Sequence, residues 1–140
     1  MKSRKVIVVL LLTLLMALVL SACGQPNVSD AKQQFCDSLN KLNTAVEKLQ
    51  NVNADTSIDE AKQAKEEVSK AWDELSKASK LLKEAQIDAS ESAYKEVVTE
   101  VDKAISGETT LGDSAEAIAA GAAKLDTQLK AINTTICGVK

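Results

Sequence analysis

The chain is predicted to be all-α, an up-down-up-down four-helix bundle over residues 31–140. Three observations predict this. Apolar residues recur at alternating intervals of three and four in separate segments from residue 30 onward. Ser or Asp followed three residues later by Glu stands before three of these segments, the pattern of a helix start. Nowhere does an apolar-polar alternation of period two, the mark of a strand, take over.

The first helix carries Phe35, Leu39, Leu42, Val46 and Leu49 on one face, with Ser29 or Asp30 as its expected cap. "NVNADTS" at 51–57 ends it. The second opens on the capping box Ser57/Glu60. Its stripe runs Ile58, Ala61, Val68, Trp72, Leu75 and Leu82, interrupted by Lys65 and Ser79 and widened by Ala64, Ala71, Ala78 and Leu81. The third is expected to start at Asp88, with Glu91 in the cap spacing. It carries Tyr94, Val97, Val98, Val101, Ala104 and Ile105, and Ser106-Gly107 reads as its end. The fourth is expected to start at Asp113, paired with Glu116. Its seam of Leu111, Ala115, Ile118, Ala122, Leu125, Leu129, Ile132 and Ile136 is the most regular in the chain.

The small-residue run "AEAIAAGAAKL" (115–125) lets a neighbouring helix come close, and Trp72, half-way along the second helix, is expected to fill the space it leaves. The alternative for Trp72 is an exposed anchor for a partner.

The first 23 residues are different in kind. Lys2, Arg4 and Lys5 precede Val6–Leu20, in which only Thr13 is polar, and small residues follow. A basic end, an apolar middle and small residues at a cut make a secretory signal. The segment closes Leu20-Ser21-Ala22-Cys23, which resembles the lipobox of bacterial lipoproteins. The resemblance covers residues 1–23 only. It implies that the thiol of Cys23 takes a diacylglyceryl group, that residues 1–22 are removed, and that Cys23 begins the mature chain. Two or more acyl chains hold a protein stably on a bilayer where one does not. Residues 23–30 would then be a lipidated tether and 31–140 the domain, on the extracytoplasmic side of the cell membrane.

With Cys23 assigned to lipid, Cys36 and Cys137 remain. An even pair in an exported chain reads as a disulfide, with two buried thiols as the alternative. The pair bears on the helix count. "KEAQIDASESAYK" (83–95) holds no Gly or Pro, so residues 58–105 also fit one long helix. In a four-helix up-down path the start of the first helix and the end of the last meet at one pole, within disulfide reach. In a three-helix path they fall at opposite poles. The turn is therefore placed at Gln86–Asp88.

Composition narrows the function. Beyond residue 22 the chain holds fourteen lysines against twenty acids, a net charge of −6, and neither Arg nor His. Such a balance argues against nucleic acid as a partner. It also lacks the usual fork for phosphate and the usual proton carrier at neutral pH. Three aromatic residues do not make a stacking platform. The acids Glu66, Glu67, Asp73 and Glu74 are interleaved with lysines and read as a wet face, with no metal expected. The expectation is a non-enzymatic, cofactor-free lipoprotein that docks on another envelope protein. The alternative is a carrier of a small apolar ligand in a pocket between helices.

Overall fold

A computed structural model describes residues 27–82 and 86–138. Four helices follow one another: α1 (Val28–Gln50), α2 (Ile58–Ser79), α3 (Asp88–Ser106) and α4 (Leu111–Ile132), with one π-helical turn at Asn133–Cys137. Among the described residues there is no strand. The helices form a ring in which α1 packs on α2 and α4, and α3 packs on α4 and, less extensively, on α2. Leu20, Ser21, Ala22 and Cys23 lie outside the described residues.

Pairs across the helices fix the directions. Lys41 pairs with Glu74 at 3.1 Å and Lys48 with Glu67, so α2 descends beside α1. Lys65 with Asp102, and Trp72 with Tyr94, set α3 antiparallel to α2. Lys124 meets Glu96 at 2.9 Å between α4 and α3. Asn133 donates to Asn40 at 3.3 Å between α4 and α1, and Cys36 is bonded to Cys137 with Cα atoms 5.9 Å apart. The path is up-down-up-down. Exposed ion pairs contribute only about 0–1 kcal/mol each, so their interest is the register they report.

The helix ends show which local signals decide. The capping box at Ser57 forms in full: the Glu60 amide donates to Ser57 Oγ at 3.2 Å and the Ser57 amide to Glu60 Oε2 at 2.9 Å. Gly107 ends α3 in the left-handed conformation at φ 80°. There the Glu108 amide reaches the Lys103 carbonyl and the Gly107 amide that of Ala104, a Schellman motif. Three expectations are corrected. Asn27, not Ser29 or Asp30, caps α1, accepting from the Ser29 amide. Ile87 occupies the cap of α3 without a side-chain bond, and its burial in the core outweighs the Asp88/Glu91 signal. Thr110, not Asp113, caps α4, its Oγ1 accepting from the Asp113 amide at 3.1 Å. Helix α2 stops at Ser79, short of the expected end, and Lys80–Leu81 turn away from its axis. Leu81 is consequently exposed rather than part of the stripe.

The core holds most of the expected seams, with Ile58 exposed and Val98, Ala115, Ile132 and Ile136 only half-buried. Phe35, Leu39, Leu42, Val46, Leu49, Val68, Leu75, Val97, Val101, Ile118, Leu125 and Leu129 are fully buried. Burial of such side chains is worth roughly 1.5–3 kcal/mol each relative to exposure. Ala61, Ala64, Ala71, Ala78, Ala93, Ala104 and Ala122 fill the narrower layers. The small residues of α4 let a neighbouring helix come close, as their run predicts. A Cβ at Gly121 would fall 2.7 Å from Val97 Cγ2, so it is α3 that comes close at this point. Trp72 is instead stacked on Tyr94, with ring centroids 4.5 Å apart and planes 5° from parallel.

Candidate functional site

The bundle has two unlike poles, about 33 Å apart along helices of 22 residues. At one, the first turns of α1 meet the π-helical turn. That wider turn, closed by the Gly138 amide on the Asn133 carbonyl, carries Cys137 onto Cys36. Asn27, the first described residue and four residues after Cys23 in sequence, lies at this pole. Its charges are mixed: Lys32, Lys77 and Lys80 beside Asp30, Asp37 and Asp88.

The other pole is built from the α1–α2 connection (51–57) and the α3–α4 connection (107–110). A groove of about 850 Å³ lies between them. Its lining is mixed, with Ala54, Ile58 and Ile105 beside Thr56, Thr109, Thr110, Glu108 and Asp113. Ile58 is 42% exposed here, because the first turn of α2 projects past the last packed layer. The first turn of α4 stands beside the α1–α2 connection here: a Cβ on Gly112 would make an ordinary 3.6 Å contact with Ala54.

Both walls are held by their own hydrogen bonds. In the α1–α2 connection the Asp55 amide donates to Asn53 Oδ1 at 2.8 Å, and the Asn53 amide to Thr56 Oγ1 at 3.0 Å. In the α3–α4 connection Thr109 and Ser114 share a 2.6 Å bond between hydroxyls, and Thr110 Oγ1 donates to Asp113 Oδ2 at 2.6 Å. The groove is therefore formed before anything enters it.

The two connections at this pole carry acids and no base, while Lys48, Lys62 and Lys103 stand on the adjoining helix turns. Residues 51–60 and 107–116 contain Asp55, Asp59, Glu60, Glu108, Asp113 and Glu116, and no lysine or arginine. Asp59, Glu60, Asp113 and Glu116 stand in or near the first turns of α2 and α4, where they complement the helix dipoles. Asp55 lies outside those turns, and Glu108 stands near the Lys103 ammonium. Hydrogen bonds from Ser57, the backbone amide first and then the hydroxyl, hold the Glu60 carboxyl below its ordinary value. The nearest lysine on α3, Lys103, is engaged by Glu100 at 2.7 Å. That bond, and the charge of Glu100 and then of Glu108, raise its pKa.

The other residues singled out from the sequence are dispersed. Trp72 is 7% exposed, with its ring face against Tyr94, and is not a surface anchor. Of the acids on α2, Glu67 takes Lys48 and the Gln63 amide, which together lower its pKa, and Glu74 takes Lys41. Among the described residues no three His, Cys, Asp or Glu side chains are grouped to hold a metal ion, and no helix is long and apolar enough to cross a membrane. The further clefts are open surface grooves like the one between the connections; one of about 630 Å³ between α1 and α2 is walled by Asp30, Asp37, Lys41, Glu74 and Lys77. The chain matches no protein-family model, no curated protein and no solved structure.

Proposed function

We propose that this chain is a lipid-anchored extracytoplasmic lipoprotein, held through Cys23, that acts by docking another envelope protein rather than by chemistry. One observation carries the reading: Cys36 and Cys137 are joined. A structural disulfide belongs to an oxidising compartment, which agrees with an exported chain. It also uses two of three cysteines and leaves Cys23 as the odd one, in the setting Leu20-Ser21-Ala22-Cys23. The bundle then stands with its disulfide pole toward the bilayer, since at about 3.3 Å per residue the stretch from Cys23 to Asn27 spans under 20 Å. Its groove between the connections faces away from the membrane. In this orientation the far pole is the part of the bundle that a partner meets first.

The test is the intact mass of the protein extracted from membranes, before and after reduction and alkylation. The expected mass is that of residues 23–140 plus acyl chains, with two alkylations appearing only after reduction. A full-length, unlipidated mass overturns the anchor.

A further inference from the structure

We infer that the disulfide pole rests on the bilayer itself, with Val28 and Leu81 in the lipid interface and Lys32 and Lys80 against the phosphate groups. This rests on the anchored reading for where the membrane lies, and on the pole's own residues for the contact.

Among the described residues three large apolar side chains are exposed: Val28 at 74%, Leu81 at 47% and Ile58 at 42%. Ile58 belongs to the far pole. Val28 and Leu81 belong to the disulfide pole, one in the first turn of α1 and the other in the turn that leaves α2. The register of the two helices agrees. Lys41 pairs with Glu74 and Lys48 with Glu67, so Leu81, seven residues beyond Glu74, falls level with Gln34, seven residues before Lys41. Val28 lies about 9 Å further toward the tip. The core does not use either side chain: Ala31 and Leu82 are the neighbours that enter it. Each has a lysine beside it. Lys80 precedes Leu81, and Lys32 stands one turn after Val28 on the same helix face. An aliphatic residue next to a lysine suits an interface, with the lysine stem along the apolar surface and its ammonium among the headgroups. Ile132 and Ile136 are half-buried at the same pole, beside Gln86 of the α2–α3 connection.

The length of chain says what covers this surface. Val28 stands five residues after Cys23, at most about 17 Å of extended backbone. So short a link holds the pole at an effective concentration of about millimolar or more beside the bilayer, and a weak contact is then populated. Charge does not oppose it. The exposed acids here, Asp30, Asp37 and Asp88, are matched by exposed Lys32, Lys77 and Lys80. The contact fixes which end of the bundle points away from the membrane.

The experiment places a benzophenone amino acid at Leu81 in the full chain, and for comparison at Ile58, which is similarly exposed at the other pole. Cells making each form are illuminated, and phospholipid adducts are measured by mass spectrometry of the purified protein. The expected yield at 81 is at least five times that at 58. Val28→Asp, at an exposed first helical position outside the core, should lower the yield at 81 at least threefold. No phospholipid adduct at 81, an equal yield at 58, a peptide adduct in its place, or a yield that Val28→Asp leaves unchanged each overturns the contact. The intact mass of protein kept in the dark reports on the anchor separately. A lipidated chain without adducts at 81 keeps the anchor and ends the contact; an adduct at 81 on an unlipidated chain does the reverse.

Discussion

Val97 Cγ2 occupies the space that a side chain at Gly121 would need: a Cβ there would lie only 2.7 Å away. Valine in a helix has one strongly preferred rotamer, so the methyl does not swing aside freely. Gly121→Ala gains about 0.5–1 kcal/mol of helix propensity and loses about 1–3 kcal/mol through overpacking. The expected net effect is a loss of about 1 kcal/mol in urea denaturation. Combined with Val97→Ala, which empties the space, the two losses should fall short of additivity. A stabilised Gly121→Ala protein contradicts the contact.

Trp72 and Tyr94 join α2 to α3 where the packing between neighbours is least extensive. Trp72→Ala is expected to cost about 3–5 kcal/mol. The stacking itself should appear as a coupling of about 0.5–1.5 kcal/mol in a cycle of Trp72→Leu and Tyr94→Leu. Denaturation midpoints of the four proteins decide this, and additive losses would remove the stacking contribution.

The Cys36–Cys137 bond separates residues 101 apart in sequence. For a loop of that size the chain-entropy treatment gives roughly 4.7 kcal/mol. With many core positions held by alanine, this is comparable to the whole stability of a small domain. Adding reductant, or replacing both cysteines with serine, should lower the thermal midpoint sharply. An unchanged midpoint means that the bond contributes nothing.

The Ser57/Glu60 box makes stability depend on pH. The Glu60 carboxyl is held below its ordinary value of 4.5 in the folded chain, so it binds fewer protons than when unfolded. Its contribution is present above the unfolded value and is lost as pH falls through the folded one. Ser57→Ala should cost about 1 kcal/mol at pH 7. The difference between wild type and Ser57→Ala should shrink below pH 4.5. A difference that stays constant from pH 7 to 3 contradicts the ionic part of the box.

The helical seams were legible because spacing records burial directly: Phe35 to Leu49 and Ile118 to Leu129 are buried as their intervals predict. Caps were less legible. Asp88 and Asp113 have the same spacing to a following Glu as Ser57, yet the starts lie at Ile87 and Thr110. At Ile87 a long-range term, burial of an isoleucine, overrides a local signal. Buried Asp126 was invisible for a similar reason. It is held by Lys130 at 2.7 Å, and its depth depends on how helices meet rather than on its local sequence. The groove escaped altogether. Ile58 reads as a core residue by spacing, and its exposure follows from ending a packed layer. One signal was available. The connections at 51–57 and 107–110 belong to the same pole of any up-down bundle, so residues far apart in sequence could be expected to share one surface there.

The bond between the first and last helices has a mechanical consequence. A pull applied at Asn27 and resisted at Gly138 passes from α1 into the π-helical turn through two sulfur atoms. The 100 residues between the bonded cysteines lie outside that line of tension. Tugging on the two ends would straighten only the short stretches before Cys36 and after Cys137, and three of the four helices would not feel it. A cut in the connection between α2 and α3 would likewise leave both halves on one covalent piece until a reductant arrived.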